Sequence, residues 1–350
     1  MVVLKDVADI LGVSTATVSL ALNGSGLVNA ETKERVVELA NEMGYIPNSI
    51  ARNLVRRKSN ELGLIVPDIE NVYYSQLVKY IDIYARDAGY RLFVSISNND
   101  AKIERETISA MVANRVEGVV VVPVNVPNSS PDYFKLLRSH GIPFAFASSM
   151  YPEVDAPFVV CDMFNGMYQL TRYLIEKYAY NHYVMITGPQ NVNSLRQREE
   201  GFVSALKDAG DAEYEIIRVN NVDYSSACEA TAKLIITNSH IDAIMCVNDT
   251  MAIGVINVLL RNGLKVPDDI AVTGFDNSLF AEVSVVPVTT VLQDIQSIAK
   301  QSISVLLKCI AGESLSEKGV YIPTQIIRRS STELAAAFGG KVMIGGARIA

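Results

Sequence analysis

The 350-residue sequence predicts an α/β protein: two side-by-side lobes of doubly wound parallel sheet, preceded by a small all-helical headpiece. Three observations carry this reading. From residue 61 onward, short apolar runs alternate with amphipathic stretches, the rhythm of strand–helix–strand units in a parallel sheet. These runs are too many for one comfortable sheet, and residues 148–158 (SSMYPEVDAPF) interrupt them. Before residue 60 there are only short helical patterns punctuated by Gly, Ser and Asn. The expected organisation is a helix-turn-helix headpiece over 1–47, a linker over 48–60, a two-lobed core over 61–333 and a tail over 334–350.

Composition narrows the class. At 49% hydrophobic and 20% charged, the chain is globular, and its net charge of −7 argues against a protein that coats nucleic acid indiscriminately. The charge is uneven, with seven Lys/Arg against six Asp/Glu in residues 1–60 and 24 against 32 in the remainder. The acidic excess therefore belongs to the core, and the headpiece is free to approach phosphates. Cys161, Cys228, Cys246 and Cys309 lie far apart with no metal-ligand spacing, which points away from a disulfide framework or metal site and toward a reducing compartment. The opening MVVLKDVADI carries acids and lacks a signal peptide's apolar run, and no run reaches a membrane span, so the cytoplasm is expected.

In the headpiece, LKDVADILG places Leu4, Val7, Ala8 and Leu11 on one helical stripe, with Gly12 suited to a tight turn. Ser14 stands at an N-cap, so the second helix starts at Thr15. Val18 and Ala21, with Leu22 at the shoulder, point toward a small core, whereas Ala16, Ser19, Leu20 and Asn23 point away. That outer face has little reason to be buried, and the pair reads as a helix-turn-helix whose second helix enters a DNA major groove. Asn29 can cap a third helix carrying Val36, Leu39, Ala40 and Met43, stopped by Gly44.

The linker YIPNSIARNLVRRKS reads as a helix barely two turns long. Ile50, Ala51, Leu54 and Val55 share one face, and Arg52, Arg56, Arg57 and Lys58 lie behind or beyond it. So short a helix does not hold in water alone, so its apolar face needs a partner: its twin from a second subunit, or a widened minor groove that Leu54 can wedge open.

In the core, LGLIV, RLFVSI, GVVVV and PFAFA alternate with helical stretches near 75–88, 102–114 and 131–139. After Pro157 the rhythm resumes with FVVC, YVMIT, EIIRV, AIMCV and IAVTGF. Two lobes with a cleft at the carboxyl ends of their strands follow.

With these pieces in place the sequence resembles the LacI/GalR family of bacterial transcription regulators, through LKDVADILGVSTATVSLALNG, GYIPNSIARNL, GLIVPDI, VEGVVVVP, CVNDTMAIG, VTGFDN and IIRRSS. The resemblance runs across 4–331 and implies a periplasmic-binding-protein-like core and a homodimer on double-stranded DNA with a pseudo-palindromic operator. It places base reading on Thr15, Ala16 and Leu20, and backbone contacts on Ser14, Thr17, Ser19, Asn23, Asn29, Thr32, Tyr45 and Asn48. Leu54 takes the family's minor-groove wedge, and Tyr73, Asp162, Ser194, Arg198, Asn248 and Asp276 its small-molecule effector positions. Two departures stand out. Leu20 occupies a position where many relatives carry Arg or His, so readout leans on thymine methyls. Val222 stands where several relatives place a large aromatic, with Tyr224 two residues on.

The function implied is a repressor whose operator affinity is set by a carbohydrate bound between the lobes; a corepressor or activator of the same family uses the same parts. No cofactor and no metal are implied. An enzyme is disfavoured, since no phosphate-binding glycine loop is present and His140, His182 and His240 lie far apart. A plain transport protein is disfavoured by the headpiece. The tail lacks leucine heptads, which favours a dimer over a tetramer.

Overall fold

The computed structural model describes residues 2–23, 26–45, 59–124, 126, 131–178, 180–210, 212–237 and 240–333. The chain divides into two units between Ser59 and Asn60. The linker helix expected over 48–58 and the tail lie outside the described residues.

The first unit has three helices: α1 (Leu4–Leu11), α2 (Thr15–Leu22) and α3 (Ala30–Glu42). Val7 and Ala8 of α1, Val18 and Ala21 of α2 and Val36 of α3 form its small core. Gly12 takes φ +66° at the end of α1, a left-handed conformation that side chains with a Cβ disfavour, and this turns the chain sharply into α2.

In the second unit one lobe is a six-stranded sheet ordered β11-β5-β4-β3-β1-β2. Its strands are β1 (Glu61–Val66), β2 (Arg91–Ile96), β3 (Gly118–Val121), β4 (Phe144–Ala147), β5 (Phe158–Cys161) and β11 (Gly319–Ile322), all paired in parallel. Helices α4 (Val72–Asp87), α5 (Ala101–Ala113), α6 (Phe134–Ser139) and α12 (Ile295–Ile310) cover it. β3 and β4 are wholly buried, which is why they read as unbroken apolar runs.

The other lobe is a parallel sheet ordered β7-β6-β8-β9, built from β6 (His182–Thr187), β7 (Glu213–Arg218), β8 (Ala243–Cys246) and β9 (Ala271–Thr273). Its helices are α7 (Met163–Tyr178), α8 (Asn193–Ala209), α9 (Tyr224–Thr237), α10 (Asp249–Arg261) and α11 (Leu279–Val283). An antiparallel pair, β10 (Thr290–Leu292) and β12 (Gln325–Ile327), completes it. The chain therefore passes between lobes after β5, after β10 and between β11 and β12.

Residues 148–158 do not separate the lobes, because β5 pairs with β4 through Phe146↔Phe158 and with β11 through Cys161↔Ile322. The interruption is a long β4–β5 connection without a helix inside one sheet. No helix among the described residues is long and apolar enough to cross a membrane.

Candidate functional site

In the headpiece, the Ser14 hydroxyl accepts from the Thr17 N–H at 3.0 Å and lies 2.8 Å from the Thr17 hydroxyl. Asn29 Oδ1 accepts from the Thr32 N–H at 2.8 Å. The expected phosphate-contacting pairs are thus the caps of α2 and α3, and they fix two helix N-termini whose unpaired N–H groups favour anions. Thr15, Ala16 and Leu20 are all exposed, Leu20 at 38%. Ser14, Asn23 and Asn29 are exposed, whereas Thr17, Ser19, Thr32 and Tyr45 are half-buried. Asn23 donates from Nδ2 to the Ser19 carbonyl at 2.7 Å, closing the far end of α2. Asn48 and Leu54 lie outside the described residues.

In the core, a cavity of about 430 Å³ opens at the carboxyl ends of strands from both sheets. Tyr73, Ser194, Arg198, Asn248 and Asp276 line it, as five of the six expected effector positions. Asp162 is not among the lining residues. Its Oδ1 accepts from the Asn165 N–H at 2.9 Å, capping the start of α7, so its place just after β5 serves the helix.

Arg198 is 7% exposed and lies over the Phe275 ring at 4.2 Å. It donates to the Val247 carbonyl at 2.7 Å and approaches Asp276 Oδ1 at 3.5 Å. That oxygen also accepts from Gln293 Nε2 at 2.6 Å. Gln293 Oε1 in turn accepts from the Tyr73 hydroxyl at 3.3 Å, and Tyr73 pairs with the Ser148 hydroxyl at 2.7 Å. One polar chain thus runs from Arg198 in one lobe through the crossover residue Gln293 to Ser148 in the other. Burial pushes the Asp276 carboxyl up, opposed by the Arg198 cation and the Gln293 amide. Burial and repulsion from Asp276 push up Asp249, which accepts from the Thr290 hydroxyl at 2.5 Å and the Ser278 N–H at 2.6 Å.

Asn248 accepts at Oδ1 from the Met251 N–H, capping α10, and donates from Nδ2 to the Val222 carbonyl at 3.2 Å. Val222 lines the cavity, while the Tyr224 hydroxyl accepts from Asn257 at 3.1 Å on α10. Tyr224 is not among the lining residues, so this segment brings no aromatic ring to the cavity.

The sequence reading missed Gln293, Ser148 and the asparagine pairs Asn98–Asn99 and Asn220–Asn221, all of which line the cavity. The asparagine pairs each follow a strand, which was a readable signal. Ser148, at φ +64°, and Asp276, at φ +111°, hold conformations costly for side chains, as backbone at a ligand wall often does. Asp68, Glu70, Asp223 and Asp276 face the cavity against the single cation Arg198.

Comparison with known proteins bears on both places. Residues 62–314 match the family described as a periplasmic binding protein domain, and residues 3–48 match the bacterial regulatory proteins of the lacI family. The chain belongs to the lacI family of bacterial regulatory proteins. It is similar to the HTH-type transcriptional regulator DegA of Bacillus subtilis (strain 168), at 29% identity over 93% of this chain and 97% of that one. Similarity to the HTH-type transcriptional repressor CytR of Escherichia coli (strain K12) is 28%, over 94% and 96% of the two chains. Among solved structures, the lac repressor dimer bound to operator and the anti-inducer ONPF shares the fold, with TM-score 0.84 and 23% identity over 95% of this chain and 99% of that one. The transcriptional regulator CelR–cellobiose complex matches with TM-score 0.70 and 26% identity over 95% and 100%. As a lacI-family member the chain is a DNA-binding transcription regulator with a ligand-binding core. The family's helix-turn-helix is α1 and α2, and its two-lobed core carries the cavity.

Proposed function

We propose that the chain is a homodimeric repressor that binds a pseudo-palindromic operator in the cytoplasm and is controlled by an uncharged carbohydrate bound between its lobes. The observation that carries the effector reading is the cavity itself, whose wall comes from both lobes, so an occupant touches both and biases the angle between them. Its seven amide side chains and three serines present donors and acceptors in the mixture that hydroxyl groups require. Four carboxylates against one guanidinium disfavour a phosphorylated or carboxylated sugar. In this reading Arg198, Asn248, Asp276 and Ser194 bind hydroxyls, and Tyr73 is the buried floor against which the ligand rests.

On the DNA side, Thr15, Ala16 and Leu20 meet base edges, the apolar pair reading thymine methyls. Ser14, Thr17, Ser19, Asn23, Asn29, Thr32, Tyr45 and Asn48 meet phosphates, and Leu54 wedges the minor groove. No catalytic step belongs to this reading. Dimerisation is supported by apolar side chains left exposed on the second unit: Leu279, Phe280 and Val283 of α11 with Val285 after it, and Phe93 and Val94 on the edge strand β2. The relatives that bear on these points are the operator-bound lac repressor dimer and the cellobiose-bound CelR.

The test is titration of the full-length protein with uncharged sugars, read by melting temperature and by affinity for DNA. One sugar is expected to raise the melting temperature and to change DNA affinity by at least about tenfold, about 1.4 kcal/mol of coupling. A loss of affinity makes it an inducer and a gain a corepressor. If no uncharged sugar moves either readout, the effector reading fails.

A further inference from the structure

The outer face of α2 carries no charge. Between Asp9 and Glu31 the sequence has no Asp, Glu, Lys, Arg or His, so α2 and the turns at both its ends are neutral. The side chains that read guanine, adenine and cytosine by hydrogen bonds to base edges are Arg or Lys, Asn or Gln, and Glu or Asp. From Ser14 to Asn23 the sequence offers one of these, Asn23 itself, at the C-cap of α2. Its amide is turned back on the helix, donating from Nδ2 to the Ser19 carbonyl at 2.7 Å and lying 3.4 Å from the Ser19 hydroxyl.

Two of the hydroxyls are engaged as well. Those of Ser14 and Thr17 lie 2.8 Å apart, and Ser14 also takes the Thr17 N–H, which leaves the pair one hydroxyl hydrogen to give to a phosphate oxygen. The exposed residues of α2 are then Thr15 and an apolar pair, Ala16 and Leu20, one helical turn apart on the same face.

An apolar side chain brought against a base edge gains only where it meets apolar surface. Base edges in the major groove offer one such group, the methyl on pyrimidine C5. Thymine carries it, and so does cytosine once methylated at C5. The two bases differ at the neighbouring C4 substituent, an acceptor oxygen in thymine and a donor amine in cytosine. Ala16 and Leu20 have no polar group with which to tell these apart, and the Thr15 hydroxyl can both donate and accept.

We infer that α2 recognises the pyrimidine C5 methyl group itself, so that 5-methylcytosine paired with guanine takes the place of thymine paired with adenine at the position Leu20 meets. Methylation of a cytosine at that position then strengthens a site that the unmethylated base weakens. The inference rests on the operator reading above and names the chemical group on the DNA that the apolar pair meets. It makes DNA affinity depend on a covalent mark on the bases as well as on the ligand in the cleft.

The test uses the full-length protein and a duplex that it selects from random DNA. Each thymine of the selected site is replaced in turn, in both half-sites, by deoxyuridine, which lacks only the methyl group. The same positions are then changed to cytosine and to 5-methylcytosine, each paired with guanine, and affinity is read by fluorescence anisotropy. At one position or more, deoxyuridine is expected to weaken binding about fourfold for each buried methyl lost, and about tenfold or more over the two half-sites. At that position 5-methylcytosine is expected to bind about tenfold more tightly than cytosine. In Leu20→Ala, whose melting temperature should match the parent's because the side chain is exposed, both differences are expected to shrink to about twofold. If thymine and deoxyuridine bind alike at every position, if cytosine and 5-methylcytosine bind alike, or if Leu20→Ala keeps both differences, α2 does not read the methyl group and the operator reading stands without it. If no duplex is enriched, the operator reading itself falls, and this inference with it.

Discussion

Gln293 Nε2 lies 2.6 Å from Asp276 Oδ1, and Gln293 Oε1 accepts from the Tyr73 hydroxyl at 3.3 Å. A single side chain, 2% exposed and set on a segment that passes between the lobes, joins a carboxylate of one lobe to a tyrosine of the other. A ligand that contacts Asp276 would therefore be felt at the start of α4 without any long path. Gln293→Ala is expected to cost about 1–3 kcal/mol of stability, because it strips a partner from two buried polar groups. It should also pull the ratio of DNA affinities with and without ligand toward one. Urea unfolding and DNA titration check the two effects, and an unchanged ratio would remove Gln293 from the coupling.

Arg198 is expected to matter for stability as much as for binding. It and Asp276 are both about nine-tenths buried, with side-chain exposures of 8% and 10%. Arg198→Ala leaves the Asp276 carboxylate without its cation and should cost about 3–5 kcal/mol in urea unfolding. Adding Asp276→Asn to that variant should recover part of the loss, since a neutral amide no longer needs the cation. No recovery would mean that the cost comes from Arg198 packing over Phe275.

The buried acids give the core a pH signature. Burial pushes Glu104, Asp249 and Asp276 above their ordinary values. An acid that holds its proton more tightly when folded loses stabilising effect as pH rises from its unfolded value, about 4, through its raised folded value. The urea midpoint should therefore be higher at about pH 5 than at about pH 8. Asp249→Asn is expected to flatten that slope, and an unaltered slope would take Asp249 out of it.

On the headpiece, two neighbouring positions should separate stability from readout. Ser14→Ala removes the α2 cap and should cost about 1 kcal/mol, weakening all DNA binding alike. Leu20→Ala, at an exposed site, should leave the melting temperature unchanged and relax base preference at one operator position in each half-site. Comparison of melting curves and of selected DNA sequences distinguishes them. Leu54→Ala should weaken specific DNA binding much more than nonspecific binding, and equal losses would remove the wedge role.

What the sequence discloses follows the range of the interactions. The Ser14 and Asn29 caps, the Gly12 turn and the inward faces of Val18, Ala21 and Val36 depend on residues within a few positions of one another, and all were legible. The strands of both lobes were legible too, because burial on both faces leaves unbroken apolar runs. The sheet to which β5 belongs was not, since that depends on β11, more than 150 residues away in the chain. Asp162 and Gln293 show the same limit at the site. A position after a strand suggests a cleft wall, but Asp162 is drawn into capping α7 by the N–H groups next to it. Gln293 reaches the cavity only because the chain passes between the lobes there, a relation no local pattern records. Ser148 owes its place to a left-handed backbone that its residue type does not announce.

The most direct test of the account is selection of duplexes from random DNA by the full-length protein, run in parallel without and with the sugar that binds it. The account predicts that one two-fold symmetric site, with a flexible pyrimidine–purine step at its centre, is enriched in one arm and depleted in the other. Enrichment of no site in either arm, or of the same site equally in both, would contradict it.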